Sequence, residues 1–209
     1  MDDKINTPPA HSGLVGRAKG ILMQPKAEWP LVAAETTEPA KLLVSYVIPL
    51  AAIGPIAALI GSQLFGYNVI FATIRPSLGT AIGAALTSFV MSLISLFVVA
   101  FVANFLSPKF GGRDSFPAAF RLVAYSMTAA WIAGIFNLVP TLAIVGTLIG
   151  FYSIYLFYVG AVPVMGVPQD KAASYTAVTV LAAIVVMLIV GALAAAISGG
   201  GMGANTITL

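Results

Sequence analysis

Four stretches of this 209-residue chain carry no charged side chain at all: 42–74, 76–108, 122–169 and 172–209. An apolar run of about 18 residues or more without charge is long enough to cross a bilayer as a helix. In hydrocarbon the backbone amides must satisfy one another, which a helix does within a single segment. The runs therefore specify an all-α, polytopic membrane bundle. Composition excludes the soluble alternative. Charged residues make up 8% of the chain and hydrophobic ones 59%, whereas a water-exposed domain carries roughly 25% charged residues. Cysteine is absent, so disulfides, thiolate catalysis and Cys-ligated metals are excluded.

Turn residues divide the runs into five transmembrane helices. The first covers about 42–65, bent where Pro49 and Pro55 each remove a backbone donor. Loop 66–77 holds Arg75. The second covers 78–106, with Gly79 and Gly83, and Ala81 and Ala85, at small-xxx-small spacing. Run 122–169 is too long for one crossing of about 20 residues, and Pro140-Thr141 is its natural turn. That gives spans near 119–139 and 142–165, and a fifth near 173–198. Residues 199–209 read as a flexible, glycine-rich tail.

The N-terminal part is different. Residues 1–12, with Pro8, Pro9 and His11, read as a disordered tail without the basic start of a cleavable signal peptide. In 13–40, Leu14, Ala18, Ile21, Leu22 and Pro25 form a helical stripe, with Arg17, Lys19, Gln24 and Lys26 off it. This predicts an N-terminal amphipathic helix in the headgroup layer, anchored by Arg17, Lys19, Lys26 and Trp29. Pro25 should end or kink it, and Trp29-Pro30 should start a second short helix. The alternative for Trp29 is packing on the underside of the bundle. Glu28, Glu35 and Glu38 read as solvated or headgroup-level charges.

Few residues offer chemistry. No Asp or Glu falls within a span, and the one histidine is His11. This argues against intramembrane aspartyl or serine proteases, lipid phosphatases and zinc sites. The reading is a non-enzyme with no cofactor and no metal, and without a folded basic domain for nucleic acid. Asn104, Arg121, Tyr125 and Tyr158 fall at similar depth on three spans. They form a candidate cytoplasm-facing polar pocket or lipid-headgroup contact, or else ordinary interhelical hydrogen bonds. The loop pair Arg113-Asp114 reads as an exposed ion pair of little energetic weight.

Ile21-Leu22-Met23-Gln24-Pro25-Lys26-Ala27-Glu28-Trp29 with Ala33-Ala34-Glu35 is similar to the opening segment of the bacterial Yip family of proteins. Phe120-Arg121-Leu122-Val123-Ala124-Tyr125-Ser126 resembles the start of its third span. Phe151-Tyr152-Ser153-Ile154-Tyr155-Leu156, then Val167-Pro168-Gln169-Asp170-Lys171-Ala172, resembles its fourth span and the loop after it. The resemblance implies a five-span protein with a cytosolic N-terminus. Eukaryotic relatives associate with Rab-type GTPases. Their longer cytosolic region and acidic-Leu-x-Gly-Pro signature are absent here apart from Gly54-Pro55, so that partner is not carried over.

The expectation is a bacterial inner-membrane, multi-pass scaffold or adaptor that orders membrane or recruits a partner at the cytoplasmic face. Its partners are anionic lipid headgroups, with a protein partner and a homo-oligomer left open. The alternative is a small oligomeric transporter or lipid-handling protein. Of ten basic residues, all but Arg75 fall on one side of a five-span thread. Basic residues favour the cytoplasmic side, which places the N-terminus in the cytoplasm and the C-terminus outside. A reporter active only outside the membrane is expected to work on the C-terminus and fail on the N-terminus, and the reverse pattern would refute this orientation.

Overall fold

The computed structural model of the chain describes residues 13–69, 72–199 and 205–208. Among these are five helices long and apolar enough to cross a membrane: Pro39–Leu64, Leu78–Phe110, Phe116–Leu138, Pro140–Met165 and Gln169–Ala196. They are spans one to five of an all-α bundle, as the charge-free runs require. The expected N-terminal tail, 1–12, and the glycines from Gly200 onward lie outside the described residues.

Prolines and glycines shape the spans. Span one passes through a π-helical turn at Leu43–Val47, just ahead of Pro49. In a regular helix the ring of Pro49 would meet the carbonyl of Ser45, and the wider turn relieves that clash. Spans three and four are joined by 3-10 turns, Gly134–Leu138 and Pro140–Leu142, with Val139 extended between them. Spans one and three cross at two glycines, for a Cβ on Gly134 would lie 2.8 Å from the Gly54 Cα. No such partner meets Gly79 or Gly83, which have open space around them. Their spacing on span two makes no contact among the described residues.

Span four ends in a left-handed glycine, Gly166, with φ of 69°. Helix ends leave carbonyls without partners. Here Arg113, from the loop between spans two and three, supplies them. Its backbone N–H donates to Met165 O at 2.8 Å, Nε donates to Val164 O at 2.8 Å, and the guanidinium also reaches Pro163 O. A cation at this end also opposes the helix dipole. The Arg113-Asp114 pair expected from sequence is thus replaced. Asp114 Oδ1 instead accepts from Asn104 Nδ2 at 2.7 Å.

The N-terminal segment departs most from expectation. It forms two helices, α1 (Leu14–Met23) and α2 (Pro25–Ala34), folded back at Gln24. Pro25 opens α2 and Pro30 lies inside it, so the second helix starts four residues before the expected Trp29. The segment is two helices packed on the bundle and not one helix lying apart from it. α2 packs along span four and α1 against span three. Ala18, Ile21, Trp29 and Val32 are buried. Trp29 sits on Gly160, where a Cβ would lie 2.7 Å from the indole Cε2. At the fold-back, Tyr152 Oη donates to Leu22 O at 3.0 Å. From Tyr152 to Met165 is about 20 Å of helix at 1.5 Å per residue. The hairpin therefore follows span four for much of its length. The apolar stripe was legible, but it faces protein.

At the opposite end, the segment expected as loop 66–77 contains strands β1 (Tyr67–Val69) and β2 (Ala72–Pro76), which pair antiparallel. β3 (Asn205–Thr208), expected within the tail, pairs antiparallel with β2. Gln63 Nε2 donates to Pro76 O at 3.2 Å and ties this small sheet to span one.

Gly160→Val places a branched side chain against Trp29 and Leu122. Overpacking of this kind costs about 1–3 kcal/mol. The variant is expected to unfold at lower temperature in detergent than wild type, whereas Gly83→Val should unfold as wild type does.

Candidate functional site

Between the hairpin and spans one and three lies a cluster of charged and phenolic side chains. Glu28 lies in the first turn of α2, and Glu35 caps its C-terminus with an extended backbone. Arg17, on the antiparallel α1, lies opposite both. Its guanidinium forks, one nitrogen donating to Glu28 Oε1 and the other to Glu35 Oε1. Glu28 is 2% exposed. Gly20 makes room for it, since a Cβ there would lie 2.6 Å from Glu28 Oε2. Of the acids expected to be solvated, Glu28 is thus enclosed and Glu35 half-buried, while Glu38 is exposed.

Span three supplies the other wall. Arg121 and Tyr125 are four residues apart and share a helix face. Tyr125 Oη donates to Glu35 Oε2 at 3.2 Å, and its ring lies 5.6 Å from the Arg17 guanidinium carbon. Arg121 is 7% exposed. It donates to Thr37 O at 3.3 Å and lies within electrostatic reach of Glu35, while its buried Nε has no partner. Behind them, the Tyr46 ring meets Tyr125 edge-on at 4.8 Å. Tyr46 Oη and Thr128 Oγ1 are 2.8 Å apart, and Thr128 Oγ1 in turn donates to Tyr125 O. Tyr46 belongs to the π-helical turn, a geometry that recurs where function places a side chain.

The cluster holds two guanidinium groups and two carboxylates, so its formal charges cancel. That is the condition under which charges persist out of water. Chemically it can clamp the hairpin to the bundle, and protonation or loss of one member would release that clamp. No group of three or more metal-ligating side chains occurs among the described residues.

The sequence-derived candidates divide accordingly. Arg121 and Tyr125 come together, joined by Arg17. Asn104 lies elsewhere: its side chain fixes the loop after span two, with Nδ2 on Asp114 and Oδ1 accepting from Ser115 N at 2.8 Å. Tyr158 faces the start of span five, where its hydroxyl accepts from Gln169 Nε2 at 3.1 Å. The four do not form one pocket. Of the proposed interfacial anchors, Lys19 and Lys26 are exposed, but Arg17 is in the cluster and Trp29 is fully enclosed. Sequence reasoning missed Glu28, Glu35 and Tyr46. The available signal was two acids beyond the Pro25 break, across from the arginine before it.

A family model described as the Yip1 domain matches residues 19–192. The chain is also 25% identical, over 186 residues, to the inner membrane protein YohC of Escherichia coli strain K12 and to its namesake in Escherichia coli O6:H1. Each alignment covers 87% of this chain and 95% of the relative. No solved structure matches it.

Removing one member of a buried ion pair costs about 3–5 kcal/mol, because the other is left uncompensated. Arg17→Ala is expected to loosen the hairpin from the bundle. Because the chain has no cysteine, an Ile21→Cys substitution gives a single reporter at a fully buried position. Thiol labelling there should be slow with Arg17 present and fast in Arg17→Ala. Equal rates would show that the ion pairs do not hold the hairpin.

Proposed function

Since the chain belongs to the Yip1 domain family, we propose that it is a non-enzymatic, multi-pass scaffold of the bacterial inner membrane. Its basic end faces the cytoplasm, where it orders lipid or recruits a partner. The observation that carries this reading is the docked N-terminal hairpin. It is clamped by Arg17 to Glu28 and Glu35, and it presents Lys19 and Lys26 outward. A fixed platform with exposed cations suits recruitment to an anionic surface, at about 1 kcal/mol per basic residue near the headgroups. A passage would need polar groups aimed at a shared lumen. Asn104, Tyr125 and Tyr158 are instead each bonded to a neighbour. The family resemblance and the relatives described as inner membrane proteins support the location.

A photo-crosslinking residue at Lys26 in growing cells tests the scaffold reading. The expected result is a discrete adduct, with lipid or protein, that disappears in Arg17→Ala while the protein still inserts. The same adduct in both would overturn the platform reading. So would solute uptake by the purified protein in vesicles, which would favour the transporter alternative.

A further inference from the structure

The hydrogen bond from Tyr152 to Leu22 fixes how deep the N-terminal hairpin reaches. Tyr152 stands about 20 Å from Met165, the basic end of span four, at 1.5 Å per residue. Its hydroxyl donates to Leu22 O, beside the fold-back at Gln24. Span three gives the same level. There α1 packs on the Thr128–Ala133 segment, which begins about 18 Å past Phe116. Span four, Pro140–Met165, has 26 residues, and is therefore about 39 Å long. The hydrocarbon core is about 30 Å thick. If the whole surplus of about 9 Å lay at the basic end, the fold-back would still stand about 10 Å inside hydrocarbon.

The tip is not built for that solvent. Met23, Gln24 and Lys26 are exposed. Among the described residues Lys26 has no ion-pair partner. The nearest acid in sequence, Glu28, is buried and held by Arg17. An uncompensated ammonium in hydrocarbon is costly, and the cost is relieved by snorkelling, by local thinning of the bilayer or by water defects. Snorkelling carries the ammonium only about 6 Å along its four-carbon stem, which is less than the depth of the tip. The remainder has to come from the leaflet. A second feature agrees. The Tyr155 ring stacks on Tyr152 with centroids 5.4 Å apart, and Tyr155 is 40% exposed. Phenol rings favour the boundary between membrane and water. Ile154 beside it is exposed as well, so the surface next to the tip faces lipid and not a lumen from which a free anion could enter.

We propose that the phospholipid leaflet at the basic end is drawn down beside the hairpin, with a lipid phosphate paired to the Lys26 ammonium at the tip. The phosphate supplies the counter-charge that Lys26 lacks, and headgroup and water follow it to the level of Gln24 and Tyr155. Lys19, also exposed, stands about 6 Å nearer the basic end than Met23 at 1.5 Å per residue and offers a second cation on the same path. The hairpin thus thins one leaflet on one side of the bundle. The inference rests on the lipid-ordering reading above and names the group that is ordered.

The test uses the full-length protein in vesicles of phosphatidylethanolamine and phosphatidylglycerol. Because the chain has no cysteine, Gln24→Cys carries a single spin label at the tip. Leu181→Cys carries the control, on an exposed position of span five about 18 Å from its start at Gln169, nearly the same depth. A water-soluble nickel complex is expected to relax the label at 24 and not the label at 181. The label at 24 is also expected to speed the 31P relaxation of the lipid, and the label at 181 to leave it unchanged. In Lys26→Leu both effects should fall to the level of the control, and Lys26→Arg should keep them. Met23→Cys replaces Gln24→Cys if that variant does not fold. A dry label at 24, wet labels at both positions, or the same signals in Lys26→Leu would overturn the proposal. Wetting at 24 without an effect on 31P would overturn it too, since water alone would then reach the tip. A lipid adduct from Lys26 in cells together with a dry label at 24 would end this inference and leave the platform reading in place.

Discussion

A carboxylate taken out of water without a counter-charge costs several kcal/mol, and folding the N-terminal hairpin onto the bundle encloses Glu28 and half-buries Glu35. Arg17 resolves this because a planar guanidinium can bridge two acceptors at once. Its fork to Glu28 and Glu35 fixes the register of α1 against α2. The same carboxylate, Glu35, accepts from Tyr125 and faces Arg121, so the register is passed on to span three. A lysine at position 17 would supply the charge without the fork. The hairpin would then dock with one acid less firmly held.

Close approach depends on the same economy of space. Trp29 can lie flat against span four because position 160 is glycine, and Glu28 can reach Arg17 because position 20 is glycine. The Trp29 indole and the Glu28 carboxylate are each matched by a missing side chain opposite. This matters more in a membrane than in water. The hydrophobic effect gives helices no reason to prefer one another over lipid tails, so packing and hydrogen bonds must hold them. The hairpin increases both at the basic end. Span three is enclosed there almost all round, with Ala118 to Ser126 all buried.

The five spans were legible because hydrocarbon imposes a length and forbids charge, a constraint that acts on each segment alone. The turn at Pro140 was legible for the same local reason. What sequence left hidden was partnership across segments. Arg121 stood out as a charge at the start of a span, and Tyr125 followed one turn later, but their common partner Glu35 lies far away in the chain. The apolar stripe of Leu14, Ala18 and Ile21 identified a buried face without saying whether lipid or protein would cover it. Arg113 was misread for a related reason. Its value lies in three carbonyls exposed by the end of span four, and the place where a helix stops is the least certain part of any sequence reading. Asn104 and Tyr158 were correctly seen as polar groups needing partners, yet each found one in a neighbouring loop or span.

The two ends of the bundle therefore differ in kind. At the basic end the hairpin supplies additional packing surface, and polar groups there are bonded across elements. Further out no such element intervenes. Span five leans on span two and leaves spans three and four partly uncovered along a line of alanines and glycines. Small residues on facing helices permit closer contact, and spans three and four use them in this way: a Cβ on Gly146 would lie 2.8 Å from Ala133 O. The hydrocarbon-lined space left between spans three, four and five, about 410 Å³, offers water few hydrogen-bond partners. The hairpin tightens the basic end by packing along the second half of span four, from its contact with Tyr152 onward.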